Sequence, residues 1–159
     1  MPPHHARTAS RSALMEIRKM NKTDLEHWRE LRKQLWPGHP DDAHLADGEE
    51  ILQADHLTSF IALDGGVVIG FADASIRHDY VNGCDSSPVA FLEGIFVLPS
   101  CRQRGVAKQL IAAVEQWGAA NGCLEMASDT SPENTVSQSV HQALGFEETE
   151  RVIFYRRRC

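Results

Sequence analysis

Apolar residues recur along this chain with two different periods, and each change of period marks a change of element. Residues 15–20 (MEIRKM) alternate as a strand does. From Leu25 the spacing becomes helical. Leu25, Trp28, Leu31 and Leu35 share one face behind a Thr23-x-x-Glu26 capping box, and Pro37-Gly38 stops the helix near Trp36. Residues 49–55 read as a short acidic helix. Strands over 59–63 and 67–77 flank Asp64-Gly65-Gly66, the turn chemistry of a hairpin. A polar loop from His78 to Pro88 leads to a strand over 89–98.

The second half repeats the alternation. A helix over 105–120 puts Val106, Leu110, Ile111, Val114 and Trp117 on its buried face and ends at Asn121-Gly122. A short strand follows over 123–127. Ser131-Pro132-Glu133 then opens a helix with Ser131 as N-cap, and Gly145 closes it. Residues 146–150 and 151–156 read as closing strands. The sum is a mixed α/β domain of six or seven strands and four helices. Strands and helices do not alternate strictly, so a simple doubly wound sheet is excluded.

Composition narrows the function. At 159 residues the chain suffices for one domain with its own core, expected over 15–159. Residues 1–14 carry Arg7 and Arg11 but no apolar h-region, so they read as a disordered extension and not as a secretory signal. The net charge of −6 repels phosphate backbones and argues against a nucleic-acid partner. No apolar run approaches the roughly 18 residues of a membrane span. Cys84, Cys101, Cys123 and Cys159 form no C-x-x-C pair and no zinc spacing with histidine. They read as reduced thiols of a cytoplasmic protein without a metal site.

The most informative stretch is FLEGIFVLPSCRQRGVAK, residues 91–108. An apolar strand carrying one carboxylate, Glu93, runs into Pro99 and then into a turn that opens a helix. Gly105 lets a backbone approach a ligand. The amides of residues 103–108 are the open donors of a helix start, and Arg102, Arg104 and Lys108 add charge. A pyrophosphate suits such a turn. A plain strand-to-helix turn with solvated basic residues satisfies the same hexad.

The order of elements around the hexad says more. An apolar strand ending in Pro99, this turn, an amphipathic helix, a further strand, Asn134 and Leu144-Gly145-Phe146 together resemble the GNAT superfamily of N-acetyltransferases over residues 15–157. The segments RKQLWPGHPDDAHLADGEEILQADH, GFADASIRHDYVNG, FLEGIFVLP and MASDTSPENT are similar to those of the chromosomal aminoglycoside 6′-N-acetyltransferases of enteric bacteria. The resemblance implies a mixed, mostly antiparallel sheet of six to seven strands flanked by about four helices. It also implies that the sheet is splayed between the strands near 89–98 and 123–127, and that two copies form a homodimer through C-terminal strands. Acetyl-CoA is the implied cosubstrate. Arg102, Gln103, Arg104, Gly105, Val106, Ala107 and Lys108 then hold its pyrophosphate, Ile95, Phe96 and Val97 pair with its pantetheine arm, and Asn134 contacts that arm. Trp36, Tyr80, Glu93, Asp129 and Glu150 fall at acceptor-binding positions, and carboxylates with aromatics suit a polycationic aminoglycoside. Each has a plainer role open to it: core aromatic, solvated tyrosine or surface acid.

For the transfer, the acceptor ammonium must lose a proton before it attacks a thioester. Glu93, held on a strand, is the first candidate base, with Asp129 the competitor and a purely electrostatic contact the alternative. A backbone N–H near Gly94 and Ile95 can serve the developing oxyanion if Gly94 marks a bulge. Many acetyltransferases place a tyrosine four residues before the glycine of Leu-Gly-Phe to protonate the departing sulfur. This chain has His141 there, which is a candidate acid or a packed helix residue. Two other readings remain: transfer to another small polyamine or a peptide amine, and a non-catalytic acyl-CoA sensor.

Overall fold

The sheet is built from β1 (Met15–Lys19), β2 (Leu57–Asp64), β3 (Val67–Arg77), β4 (Val89–Val97) and β5 (Met126–Ser128), side by side in that order. This is a computed structural model describing residues 15–159, so the extension expected over 1–14 lies outside the described residues. The first four strands pair antiparallel, and β5 lies parallel to β4. A parallel neighbour needs a crossover. Helix α3 (Val106–Ala120) supplies it.

Strand alternation divides the core in two. Ile61, Leu63 and Phe71 face α1 (Leu25–Leu35), where they pack with Trp28 and Leu31. Their neighbours Phe60, Ala62 and Ala72 face the other way, toward Leu110, Val114 and Trp117 of α3. Helix α2 (Asp41–Gln53) lies against α1 by way of Gly48, where a Cβ would collide with Leu25 and Trp28. Helix α4 (Thr135–Ala143) is peripheral and buries no residue of its own.

Several expected details are corrected. The capping box is Asn21 with Asp24, not Thr23 with Glu26, and a short 3-10 turn over Lys22–Asp24 precedes α1. Asp24 is drawn there because Arg18 donates two hydrogen bonds to it, at 2.7 and 3.0 Å, tying the helix start to β1. That guanidinium holds the Asp24 carboxyl below its ordinary value. The acidic helix begins at Asp41, well before residue 49, with Asp41 and Asp42 at its positive end. Helix α4 is capped by Asn134, whose side chain accepts from the Ser137 amide at 3.0 Å, and not by Ser131. The residues expected as strands over 146–150 and 151–156 form none, so the described residues hold five strands where six or seven were expected. Val152, Ile153, Phe154 and Tyr155 are all exposed, Phe154 by 90%.

Candidate functional site

Strand β4 is paired on both sides for only part of its length. It meets β5 at Ala90↔Met126, Phe91↔Ala127 and Leu92↔Ser128, and there the pairing stops. On the other side β3 follows β4 down to Gly70↔Val97. The backbone of Ile95, Phe96 and Val97 therefore borders a gap on its β5 side. Alternation decides which groups face it. The Leu98 amide donates to the Ile69 carbonyl at 2.8 Å, so the polar groups of Val97 point the other way, into the gap, and those of Ile95 with them.

A bulge stands at the head of this gap. Asp73 pairs with Gly94 and Ala74 with Leu92, leaving Glu93 as the extra residue. Glu93 is thereby turned out of the sheet. Ser75 Oγ donates to its Oε1 at 2.7 Å and Arg77 Nη2 to the same oxygen at 2.8 Å. Both partners sit on Oε1, which leaves Oε2 for an incoming cation. Gly94 matters for a different reason: a Cβ there would strike the Trp36 ring. Trp36, the residue that ends α1, thus lies directly against the bulge.

The foot of the gap is the turn between β4 and α3. Gln103 has a φ of 62° and Gly105 one of 76°. The left-handed region is unusual for a residue with a side chain, and such turns point successive N–H groups to one side. No side chain caps α3, and a Cβ on Gly105 would meet nothing within 4 Å. The first amides of α3 are consequently open to an anion. The arginines are engaged: Arg102 Nε donates to the Val97 carbonyl at 2.9 Å, and Arg104 pairs with Asp64 at 3.1 Å. Lys108 is exposed on the first turn of α3. Open amides at the foot and outward-facing strand polar groups above fit a coenzyme with a pyrophosphate and an amide-bearing arm.

The remaining expected acceptor residues fall into two groups. Asp129 follows Ser128 at the point where β5 leaves β4, so it and Glu93 flank the head of the gap. Tyr80, 75% exposed, lies on the β3–β4 loop, and Glu150 on the C-terminal segment. Those two come into one region because Thr149 packs on Gly83, where a Cβ would strike its side chain. Glu125 anchors the same loop by accepting from the amides of Asp85 and Ser86, at 2.9 and 2.8 Å. The Ser86 hydroxyl and these amides hold its carboxyl below the ordinary value.

Behind Trp36 lies a buried polar hub that sequence reasoning did not find. Arg32 donates to Asp73 at 2.9 Å, to Asp47 at 2.7 Å and to His44 Nδ1 at 3.1 Å. Its guanidinium lies 4.9 Å from the Trp28 ring centre and 4.7 Å from that of Trp36. Trp28 Nε1 donates to Asp73 at 3.1 Å. Burial pushes the Asp73 carboxyl up, opposed by Arg32 and Trp28. Burial also works against the Asp47 anion, yet Arg32 and His39 hold its carboxyl below the ordinary value. His44, wholly buried, is pushed down by desolvation, and Nε2 donates to the Trp36 carbonyl at 3.3 Å. The signal was present in the sequence: a carboxylate inside the apolar run of β3 requires a buried partner.

His141 faces β5 from α4. Its Nδ1 lies 2.7 Å from the Ser137 carbonyl and its Nε2 2.7 Å from Ser128 Oγ. Asn134 uses its side-chain oxygen as the cap of α4, leaving its amide nitrogen available. Among the described residues, no group of three His, Cys, Asp or Glu is placed to hold a metal ion, and no helix is long and apolar enough to cross a membrane.

Comparison with known proteins gives this geometry a context. The profile of the acetyltransferase (GNAT) family matches residues 25–146. An aminoglycoside N(6′)-acetyltransferase type 1 of Salmonella enteritidis is 86% identical over 145 residues, covering 91% of this chain and all of that protein. One of Serratia marcescens is 53% identical over 137 residues, covering 84% of this chain and 92% of that protein. The solved structure of aminoglycoside N-acetyltransferase AAC(6′)-Iy with CoA superposes with a TM-score of 0.88 at 86% identity, covering 91% of this chain and 95% of that one.

Proposed function

The chain belongs to the acetyltransferase (GNAT) family, and from that premise we propose how the residues of the gap divide the work of the reaction. The protein is an acetyl-CoA-dependent aminoglycoside 6′-N-acetyltransferase, an activity that confers resistance by removing a cation from the drug. The observation that carries the division of labour is the parting of β4 from β5 at Leu92 and Ser128. It leaves strand backbone open between an acidic head and a turn of free amides.

Acetyl-CoA supplies the acetyl group as a thioester. The amides at Gln103, Gly105, Val106, Ala107 and Lys108 bind its pyrophosphate, with Arg102 and Arg104 closing the turn from either side. The amide and carbonyl of Ile95 and the amide of Val97 align the arm, Phe96 lies between them on the strand, and Asn134 meets the arm from α4. Trp36 and Tyr80 take the sugar faces of the acceptor, while Glu93, Asp129 and Glu150 pair with its ammonium groups. Glu93 Oε2, at the bulge, removes the proton that frees the attacking amine, directly or through water, with Asp129 as the second carboxylate. The Gly94–Ile95 amides stabilise the oxygen on which charge develops.

The rest of the proposal concerns the whole protein. Residues 15–159 form one domain, and the enzyme is cytoplasmic. It works as a homodimer in which the C-terminal segments of two copies supply the sixth and seventh strands. The outer edge of β5, unpaired among the described residues, exposed Leu124 and the exposed run from Val152 to Tyr155 support that arrangement. Sedimentation of the chain truncated after Glu150 tests it: the truncated form should be monomeric, and an unchanged dimer rejects the pairing.

Thiol release from acetyl-CoA across a panel of amines tests the chemistry. Turnover on 6′-amino aminoglycosides and not on simple polyamines is expected, and the reverse overturns the acceptor. Glu93→Gln should lower kcat by about 100-fold or more, the range for loss of a positioned base. If both Glu93→Gln and Asp129→Asn left turnover unchanged, neither carboxylate would handle the proton.

A further inference from the structure

We propose that Ser128 is a catalytic residue of the transfer, delivering its hydroxyl proton to the departing sulfur, and that His141 acts behind it as the positioning group that restores that proton. The inference rests on the reading that the coenzyme arm runs along Ile95 and Val97 toward the head of the gap.

Ser128 is the last β5 residue paired with β4, so its side chain stands where the two strands part. An arm that begins at the turn and follows β4 upward arrives at this point, the strand advancing about 3.3 Å per residue from Val97 to Glu93. Glu93 and Asp129 flank the same point on the acceptor side. Ser128 thus places a hydroxyl on the β5 side of the junction where acyl donor and acceptor meet, across from Ser75, whose Oγ is taken up by Glu93.

The ring behind it is held in one orientation. A carbonyl can only accept, so the 2.7 Å approach of His141 Nδ1 to the Ser137 carbonyl puts a hydrogen on Nδ1. Nε2 then faces Ser128 Oγ at 2.7 Å, and Oγ in turn lies 3.2 Å from the Leu92 carbonyl. Phe146 packs edge-on against the ring with centres 5.4 Å apart, which fixes its plane. Three acceptors therefore lie in series: the Ser137 carbonyl, Ser128 Oγ and the Leu92 carbonyl. A neutral ring offers hydrogens enough for two of the three contacts. A doubly protonated ring with the serine hydroxyl satisfies all three. In that state Nε2–H points at Oγ, and the Oγ hydrogen is directed toward the Leu92 carbonyl at the mouth of the gap.

The step balances. The amine nitrogen forms its bond to the acetyl carbon, and the carbon–sulfur pair leaves with the sulfur. The Ser128 hydroxyl proton moves to that sulfur, and the Nε2 proton of His141 refills Oγ. The nitrogen gives up two protons, one as the ammonium becomes an amine and one after it has bonded to the acetyl carbon; the carboxylates pass both to solvent, from which the ring regains its own. Among the described residues no carboxylate ion-pairs with the ring. In the chain, Asp129 follows Ser128, Glu93 follows Leu92 and Glu147 follows Phe146.

Three measurements on the full chain test this. Ser128→Ala should reduce kcat about 10- to 100-fold, the lower part of the range for a positioned acid. KM for acetyl-CoA should stay within about threefold, because the hydroxyl acts on the leaving group and not on binding. His141→Gln should cost a similar factor alone and nothing further in the Ser128→Ala background, because both act through one proton path. A readout independent of turnover is the ionisation of bound coenzyme A, followed by thiolate ultraviolet absorbance. Its midpoint should rise in Ser128→Ala, since the lost donor had stabilised the thiolate.

Unchanged kcat with an unchanged thiol midpoint in Ser128→Ala overturns the relay. A full second loss from His141→Gln in the Ser128→Ala background also overturns it, by making the ring a direct acid. The course of the arm is checked separately by the amide resonances of Ile95 and Val97 on adding coenzyme A. If these stay unmoved, the underlying reading fails and the relay with it. If they move while Ser128→Ala remains silent, the relay alone fails.

Discussion

The two walls of the gap are built on different terms. On the N-terminal side, Trp36 rests on Arg32, which is itself fixed by Asp73 of β3 and by Asp47 and His44 of α2. On the C-terminal side, β5 is held by three residue pairs, α4 buries none of its residues, and the segment after Phe146 lies exposed. One wall is over-determined inside a single chain, and the other has surface to spare. The carboxylate and aromatic proposed to meet the acceptor thus stand on a rigid base. The wall proposed to meet the thioester arm is free to take its final shape from the coenzyme and, in the proposed dimer, from a second copy.

The sharpest way to break this comparison is to empty one position of the hub. Asp73→Ala leaves the Arg32 guanidinium buried without its main counter-ion, and a guanidinium cannot escape by losing its proton. Removing one partner of a buried pair costs about 3–5 kcal/mol, and that loss is expected in urea unfolding. Arg32→Met should cost less. The abandoned Asp73 carboxyl can take up a proton, and burial already pushes it in that direction. Equal losses from the two variants would mean that the hub is not organised around a charge that must be neutralised.

Acid gives a smaller and more selective lever on the same wall. His44 is pushed down by burial, so its folded value lies below the ordinary histidine value of about 6.5. A group with a depressed folded value stabilises the fold above its unfolded value and loses that contribution as pH falls. Here the unfolded chain binds a proton that folded His44 refuses. Unfolding free energy should therefore decline from about pH 7.5 to about pH 5.5 by a slope of at most one proton, about 1.4 kcal/mol per pH unit. The His44→Gln variant should decline less steeply over that interval. Parallel slopes for the two proteins would take His44 out of the hub's energetics.

Much of this was legible from the chain, and the exceptions have physical causes. The hairpin at Asp64-Gly65-Gly66, the strand bearing Glu93 and the α3 helix with its open start follow from local periodicity and turn chemistry. The family resemblance supplied the activity and the coenzyme, which no spacing rule would have named. What sequence reasoning missed was long-range polar pairing. Asp24 was passed over as a cap because its partner Arg18 lies on a strand, and Asp73 because its partner lies 41 residues away. Ser128 was passed over because a small hydroxyl at a strand end has no local signature. Only its place opposite Leu92 and His141 distinguishes it. The closing strands expected over 146–150 and 151–156 from their local pattern do not form, because strand periodicity in sequence does not by itself supply a pairing partner.

The gentlest probe belongs to the exposed wall. Asn134→Ala removes the cap that accepts from the Ser137 amide, a change worth about 1 kcal/mol at a helix start. On a helix without a buried residue, that loss should appear as local opening and not as global unfolding. Amides in the first turn of α4 should exchange faster, while the urea midpoint stays close to that of the unaltered protein. Bound coenzyme A should restore the protection if the arm lies against that same turn, as proposed. A drop in the global midpoint approaching that of Asp73→Ala would show α4 to be as deeply built into the fold as α1. The difference between the two walls would then be one of exposure and not of stability.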